Sequence, residues 1–177
     1  MKRIHRGDDG YTDIIGSRLP KDSPIIEFIG EVDELVSITG VVKSVLRESG
    51  LPPTITNNLT CIQRTLTNIA SYVAKGGAHR AATPITHSDI IALENSIDRL
   101  WTALTPSRFV IPGSSKESAL IHLLRAICRR VERRAATLLR NGIIDPVVYI
   151  YLNRLSDWLY VIALHINKVR NIEEDYL

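Results

Sequence analysis

Apolar residues recur every three or four positions along most of this chain, with polar residues filling the intervals. That spacing matches the 3.6-residue period of an amphipathic helix. It predicts five helices, over residues 24–49, 57–74, 88–104, 114–141 and 146–170. No segment shows the alternation of period two that is typical of a half-buried strand. The pattern therefore predicts an all-α protein built as a five-helix bundle.

Several predicted helix ends carry residues that favour a start or a stop. Ser114 and Glu117 have the spacing of a capping box, which predicts that the fourth helix opens there. Asp145 before Pro146 predicts the start of the fifth helix, because the carboxylate accepts from free N–H groups and proline fits the first turn. Pro106 predicts the end of the third helix, since proline cannot continue it. These signals agree with the periodicity.

Residues 1–22 differ from the rest because they combine glycines and charges with little periodicity. We expect them to form a loop or an extended arm, with residues 23–177 as the single bundle domain. Glycine-bracketed turns in RGDDGYTDIIGSRLPK would let backbone N–H groups converge on a phosphate, with Thr12 and Lys21 adding a hydroxyl and a cation. A GDDG segment is more often only a turn. The chain has no Gly-Lys-Ser/Thr of a Walker A loop, so a nucleotide would be bound by another scheme.

Composition excludes some classes of protein. Apolar residues make up 45% and charged residues 23%, as in a folded globular domain. The apolar runs are too short to span a bilayer and no signal-like apolar segment follows the basic N-terminus, so we expect a cytoplasmic protein without membrane contact. Cys61 and Cys128 lack metal-ligand spacing, and we expect both to be buried in helices. A net charge of +3 suits an anionic partner, but an ordinary solvated surface explains it equally well.

The fourth predicted helix contains the stretch LLRAICRRVERR, residues 123–134, with five arginines and no lysine. On a helical wheel its polar positions form a stripe away from the apolar one: Ser118, His122, Arg125, Arg129, Glu132 and Arg133. Such a stripe is most often a solvated face. However, Arg129 and Arg133 are like charges one turn apart, which costs a few tenths of a kcal/mol unless an anion lies between them. Because planar guanidinium groups bind phosphate oxygens in pairs, a polyphosphate site is the alternative.

Two other helices place polar residues among apolar ones. On the fifth helix, Asn153, Ser156 and Asp157 lie on one side of an otherwise apolar, aromatic-rich helix. They would either fix the helix register, face water or contact a ligand. Asp33 on the first helix is either an exposed acidic residue or a partner for an arginine of the fourth helix. Periodicity alone leaves these alternatives open.

Six blocks of the sequence, in this order, carry a family resemblance: RGDDGYT with SRLPKD, GEVDELVS, CIQRTL, RFVIPG, RAICRRVERR and YLNRLSD. Together they resemble the PduO-type ATP:cob(I)alamin adenosyltransferases. The resemblance implies a five-helix bundle of the left-handed up-down type, assembled as a homotrimer with active sites between subunits. It implies transfer of the 5′-deoxyadenosyl group of ATP to the cobalt of cob(I)alamin, with Mg²⁺ present and triphosphate released. It further implies transient contacts with a reductase and an adenosylcobalamin-dependent enzyme, and no nucleic-acid partner.

The resemblance also implies roles for individual residues. It assigns ATP binding to Arg6, Gly7, Thr12, Lys21, Arg129, Arg130, Glu132, Arg133 and Asn153. Asp33 and Arg125 match a salt bridge across the subunit interface. Phe109 matches the phenylalanine that lies under the corrin ring and displaces the lower axial ligand of cobalt. Catalytic roles therefore fall to Arg129, Phe109, Asp33 and Arg125.

Three departures from the family pattern accompany the match. Ile4, His5 and Arg6 replace the usual threonine-arginine-threonine, which would change side-chain contacts to ATP. Val36 replaces an asparagine after the DEL segment, and Ser114 replaces a glycine after PG. The alternative to an enzyme is a non-catalytic bundle that senses nucleotide or binds an anion or nucleic acid. A nucleic-acid module would spread its cations over one exposed face and bind more weakly as salt rises.

Overall fold

The computed structural model describes residues 7–104 and 108–177. It is mostly helical, and the five predicted helices are confirmed: α1 (Pro24–Glu48), α2 (Pro53–Ala74), α3 (His87–Trp101), α4 (Lys116–Arg140) and α5 (Pro146–Val169). The second helix begins four residues earlier than the periodicity predicted, because Pro53 fits a first helical turn. Pro106, predicted to end the third helix, lies outside the described residues.

The prediction that no segment forms a strand is wrong for four short segments. These are β1 (Tyr11–Ile14), β2 (Ser17–Pro20), β3 (Val110–Ile111) and β4 (Asp175–Tyr176). The first two form an antiparallel hairpin within the predicted arm, and the last two pair antiparallel near the C-terminus. With two to four residues each, the strands are too short for a period-two pattern to show in the sequence.

The start of α4 differs by one residue from the predicted cap. Ser115, not Ser114, is the N-cap, and its Oγ accepts a hydrogen bond from the backbone N–H of Ser118. With Ser115 as the N-cap, the third helical position is Ser118, so Glu117 is not placed to complete a capping box. Its carboxylate lies 2.7 Å from Arg170 and so joins the start of α4 to the end of α5.

The helices pack side by side in the spatial order α2, α1, α4, α5, α3. The core between them is apolar, and α5 contributes the largest share, including the fully buried Trp158. The indole N–H of Trp158 donates to Ser96 of α3 at 3.0 Å, which satisfies the polar atom of a buried aromatic side chain. Since α4 lies between α1 and α5, side chains on its two flanks meet different helices.

The two cysteines differ in exposure, and the described helices differ from membrane-spanning ones. Cys128 is buried as predicted, whereas Cys61 is exposed, because it lines an open pocket between α2, α3 and α5. Over the ranges 7–104 and 108–177, no helix combines the length and the apolar character that crossing a bilayer requires.

Candidate functional site

The arginines of α4 form two rows that face different helices. The first row, Arg130 and Arg134, faces α1 and meets its glutamates. Arg134 lies 3.1 Å from both Glu27 and Glu31, and Arg130 lies 3.6 Å from Glu31. Arg130 also pairs with Glu34. This ion-pair network joins α1 to α4, and the assignment of Arg130 to ATP stays a prediction.

The second row consists of Arg125, Arg129 and Arg133. Within the part of the chain that the structure describes, none of the three forms an ion pair with a carboxylate. The guanidinium of Arg125 lies over the ring of Tyr160 on α5, 5.1 Å from the ring centroid, as in a cation–π contact. The second row therefore offers cationic groups that form no direct ion pair within the described residues, although Asp157 of α5 lies near enough to Arg125 and Arg129 to interact with them electrostatically.

Polar residues of α5 join the second row. Asn153 donates through Nδ2 to Glu132 at 3.0 Å and accepts through Oδ1 from Arg154 at 2.8 Å. Burial raises the pKa of Asp157, Arg154 opposes that shift, and Glu132 adds to it. The structure thus brings the predicted residues Glu132 and Asn153 together on one surface with the second arginine row.

Two positions of the predicted polar stripe are not on that surface. Ser118 is 1% exposed and His122 is 6% exposed, so the prediction of a polar stripe is wrong for the first half of α4. The ring of His122 lies edge-on to Tyr160, with 6.0 Å between centroids, so the fifth helix covers this half. Burial lowers the pKa of His122, and the nearby Arg125 lowers it further.

The predicted arm begins with a tight turn held by Lys21. Its Nζ donates to the carbonyl of Gly7 at 2.7 Å, and its backbone N–H donates to Gly10 at 2.8 Å. Gly7 has φ of +98°, and a Cβ there would meet the carbonyl oxygen of Tyr11 at 2.7 Å. Only glycine fits this position without strain. The predicted residues Gly7 and Lys21 are therefore in direct contact, whereas Ile4, His5 and Arg6 lie outside the described residues.

The hairpin of the arm covers a pocket of about 590 Å³ against α1 and α2. Thr12 and Asp33 supply polar groups to a lining that is otherwise mainly aliphatic and includes Val36. The tip of the hairpin is attached to the end of α2, where the backbone N–H of Ile15 donates to Ala74 at 3.2 Å. The Val36 departure thus adds an apolar side chain to the same pocket as Thr12 and Asp33.

The predicted site residues consequently fall on two sides of the described chain. Thr12 and Asp33 share the pocket at α1 and α2, whereas Arg125 and Arg129 lie on the flank of α4 near α5. Among residues 7–104 and 108–177, no hydrogen bond or ion pair joins the arm to α4. Asp33 and Arg125 likewise form no ion pair within that part of one chain.

Phe109 lies just before β3 and is 81% exposed. Its carbonyl accepts from the backbone N–H of Leu177 at 3.0 Å, and the guanidinium of Arg108 lies 5.1 Å from the ring centroid of Tyr176. A pocket of about 650 Å³ at this end of the bundle is lined by Arg108, Lys168 and Tyr176, among others. An apolar ring is therefore presented to the outside beside an open, partly charged pocket.

Sequence reasoning missed the aromatic residues around the second row. Tyr160 contacts Arg125, His122 and Trp101, with 6.3 Å between its ring centroid and that of Trp101. The only sequence signal was an aromatic residue three positions after Asp157. Over the described ranges, no three histidine, cysteine or acidic side chains gather as a metal site.

Three comparisons with known proteins bear on this arrangement. A family model described as cobalamin adenosyltransferase matches residues 3–166. The human corrinoid adenosyltransferase MMAB is 37% identical over 164 residues, which cover 89% of this chain and 65% of the human protein. A corrinoid adenosyltransferase of Bacillus subtilis is 37% identical over 91% of this chain and 83% of its own length.

Solved structures agree with these relatives. A variant PduO-type adenosyltransferase from Lactobacillus reuteri, complexed with ATP, superposes with a TM-score of 0.87 at 29% identity, over 99% of both chains. Another variant of that protein, complexed with cobalamin and ATP, superposes with the same TM-score at 28% identity, over 99% of this chain and 98% of the other. The similarity therefore extends along nearly the whole chain.

Proposed function

Because the chain belongs to the cobalamin adenosyltransferase family, we propose that it transfers the 5′-deoxyadenosyl group of ATP to the cobalt of cob(I)alamin. The products are adenosylcobalamin and triphosphate. The chain spans 65% of the length of the human relative. ATP and cobalamin are the ligands named for the related Lactobacillus reuteri structure.

The observation that carries this proposal is the second arginine row. Arg125, Arg129 and Arg133 present cations without carboxylate partners in the described chain, next to Glu132 and Asn153. In an attack at C5′ of ATP, negative charge builds on the departing triphosphate as the C–O bond breaks. Guanidinium groups already held in place stabilise that charge and lower the barrier. The nucleophile is cobalt, so the reaction needs no protein general base.

We further propose that the active site forms between subunits of a homotrimer of left-handed up-down bundles. The separation of the predicted residues supports this, since the arm and Asp33 lie away from the second arginine row in one chain. In the assembly, the arm (residues 1–22) and Asp33 of one bundle (residues 23–177) would meet Arg125 of its neighbour. Gly7, Thr12 and Lys21 would then contact the same ATP as Arg129, Arg133 and Asn153.

Phe109 supplies the cobalt side of the proposed reaction. Its ring is exposed beside a pocket that includes Arg108 and Lys168, which suit the polar edge of a corrinoid. An apolar ring against the lower face of cobalt offers no ligand atom, so it favours the four-coordinate state. Four-coordinate cob(II)alamin is easier to reduce to the cob(I) state that attacks ATP.

Mg²⁺ fits this site as an ion carried by the triphosphate. No protein cage of three acidic or histidine side chains exists over the described ranges, and Mg²⁺ usually binds phosphate oxygens, waters and one or two carboxylates. Glu132, which accepts from Asn153, is the carboxylate placed to contact it. The ion would add positive charge at the phosphates. The cytoplasmic location and the contacts with a reductase and an adenosylcobalamin-dependent enzyme stay predictions.

The activity is tested by mixing purified protein with ATP and chemically reduced cobalamin and following the absorbance change of adenosylcobalamin formation. We expect formation that depends on ATP and releases triphosphate. A protein that binds ATP but forms no adenosylcobalamin would instead support the nucleotide-sensing alternative.

The intersubunit site is tested by complementation between two inactive variants. Lys21→Ala disables the arm and Arg129→Ala disables the second row, so each homogeneous assembly should be poorly active. Mixed assemblies contain some sites with an intact arm and an intact arginine row from different chains. Recovered activity after co-refolding is expected. No recovery, with both variants forming trimers, would place the whole site within one chain.

A further inference from the structure

The C-terminal residues fold back onto the segment that carries Phe109. Residues Asp175–Tyr176 pair as β4 with β3, and the backbone N–H of Leu177 donates to Phe109 at 3.0 Å. A pair of two-residue strands is too short to be stable by itself. Other contacts must therefore hold the C-terminal segment in place.

Those contacts centre on Asn167, which is only 1% exposed near the end of α5. Its Oδ1 accepts from Ser115 Oγ at 2.5 Å, and its Nδ2 donates to Glu174 Oε2 at 3.0 Å. Ser115 in turn caps α4. One buried amide thus links the start of α4, the end of α5 and the residue before β4.

Ser114 adds a second link between the same segments. The backbone N–H of Asp175 donates to Ser114 Oγ at 3.1 Å, which attaches β4 to the connector that follows β3. The backbone of Asn167 also accepts from Ile172 at 2.9 Å and so closes the turn after α5. The C-terminal segment is therefore fixed at its turn by Asn167 and at its strand by Ser114, and these two attachments involve neighbouring residues, since Ser115 and Glu174 are the partners of Asn167.

We propose that Asn167 is a positioning residue for Phe109, acting through Glu174 and the β3–β4 pair. This inference rests on the proposed function, in which the ring of Phe109 must lie at a fixed distance below cobalt. A buried amide that bonds on both sides has one orientation, because a buried polar atom left without a hydrogen bond destabilises the fold. That orientation determines where β4 lies, and β4 determines where the backbone of Phe109 lies.

The test compares Asn167→Leu, which removes both hydrogen bonds at similar volume, with Glu174→Gln, which keeps an acceptor for the Asn167 amide. We expect Asn167→Leu to lower kcat about tenfold with the Kd for ATP unchanged, because small displacements of a positioned group reduce rate steeply. It should also weaken the four-coordinate cob(II)alamin signal in electron paramagnetic resonance. Glu174→Gln should keep both the kcat and the cob(II)alamin signal of the unmodified protein. Glu174→Ala replaces Asn167→Leu if the latter fails to fold.

Testing Asn167→Leu together with Phe109→Ala distinguishes a positioning role of Asn167 from a general effect on stability. If Asn167 acts through Phe109, then Asn167→Leu should have little further effect on kcat when Phe109→Ala is already present. A full tenfold loss in both backgrounds, or an unchanged spectrum in the single variant, would overturn the inference. Absence of adenosylation by the unmodified protein would contradict the proposed function instead, so the two failures are distinguishable.

Discussion

The two arginine rows of α4 contain the same residue type within the same ten residues, yet they face different surroundings. Arg130 and Arg134 meet three glutamates of α1, whereas Arg129 and Arg133, each one position earlier, have no carboxylate partner in the described chain. A step of one residue turns a side chain by about 100° around the helix. The comparison shows that the partners of an arginine on α4 are decided by the helix it faces, not by its local sequence.

The two arginine rows also differ in their expected contribution to stability. The pairs of Arg130 and Arg134 are partly exposed, so each is expected to contribute about 0–1 kcal/mol to stability. The second row has no direct ion pair of this kind among the described residues, and its like charges at i and i+4 repel by a few tenths of a kcal/mol. We therefore expect the first row to contribute more to the stability of the bundle than the second, unless an anion binds.

The largest expected effect comes from removing one member of the second row. Arg129→Ala should reduce kcat/KM for adenosylation by about 10²–10³-fold, because it removes a preorganised cation from the departing triphosphate. The melting temperature should stay the same or rise slightly, since repulsion from Arg133 is relieved. Steady-state kinetics and thermal unfolding of the same preparation check both. Arg134→Ala is the matched control, and equal activity loss in the two variants would break the comparison.

A smaller loss should follow from Phe109→Ala, which leaves both arginine rows intact. We expect adenosylation to fall by about ten- to a hundredfold while the Kd for ATP is unchanged, because the ring acts on cobalt and not on the nucleotide. Calorimetric titration with ATP and single-turnover kinetics separate the two effects. Undiminished adenosylation would show that the Phe109 ring does not act on cobalt.

Removing a member of the first row should lower stability and leave activity intact, which is the opposite of the effect expected for Arg129→Ala. Arg134→Met keeps the aliphatic stem and removes the ion pairs with Glu27 and Glu31, so the free energy of unfolding should fall by about 1 kcal/mol. Adenosylation at saturating substrate should remain within about twofold. Denaturant unfolding measures the change in the free energy of unfolding. Adding salt to the unmodified protein should remove part of the same stability, because exposed ion pairs are screened.

The sequence predicted the existence of all five helices, because their apolar periodicity is long and regular. The helical wheel placed Arg129 and not Arg130 on the polar stripe, but it did not predict the partners of Arg130, because its ion pairs depend on the position of α1. It placed His122 on a polar stripe because Tyr160, which covers it, comes from another helix. It chose Ser114 over Ser115 as the cap because Glu117 stands three positions after Ser114, whereas the partner of Glu117 in the structure is Arg170 at the end of α5. Each miss involves a tertiary contact between distant parts of the chain.

The smallest expected effect is on the pH dependence of stability, and it concerns His122, one turn before Arg125 on the buried part of α4. Burial and Arg125 hold the pKa of His122 below its ordinary value of 6.5. The unfolded chain therefore binds a proton at higher pH than the folded chain does, and stability present above about pH 6.5 is lost as pH falls through the folded pKa. His122→Phe keeps a ring beside Tyr160 but cannot titrate, so its stability should fall less between about pH 7.5 and 5.5. Other histidines, including His165, are common to both proteins and cancel in the difference between their unfolding curves. Parallel curves would show that His122 has the same pKa in the folded and unfolded states, which would contradict the lowering by burial and Arg125.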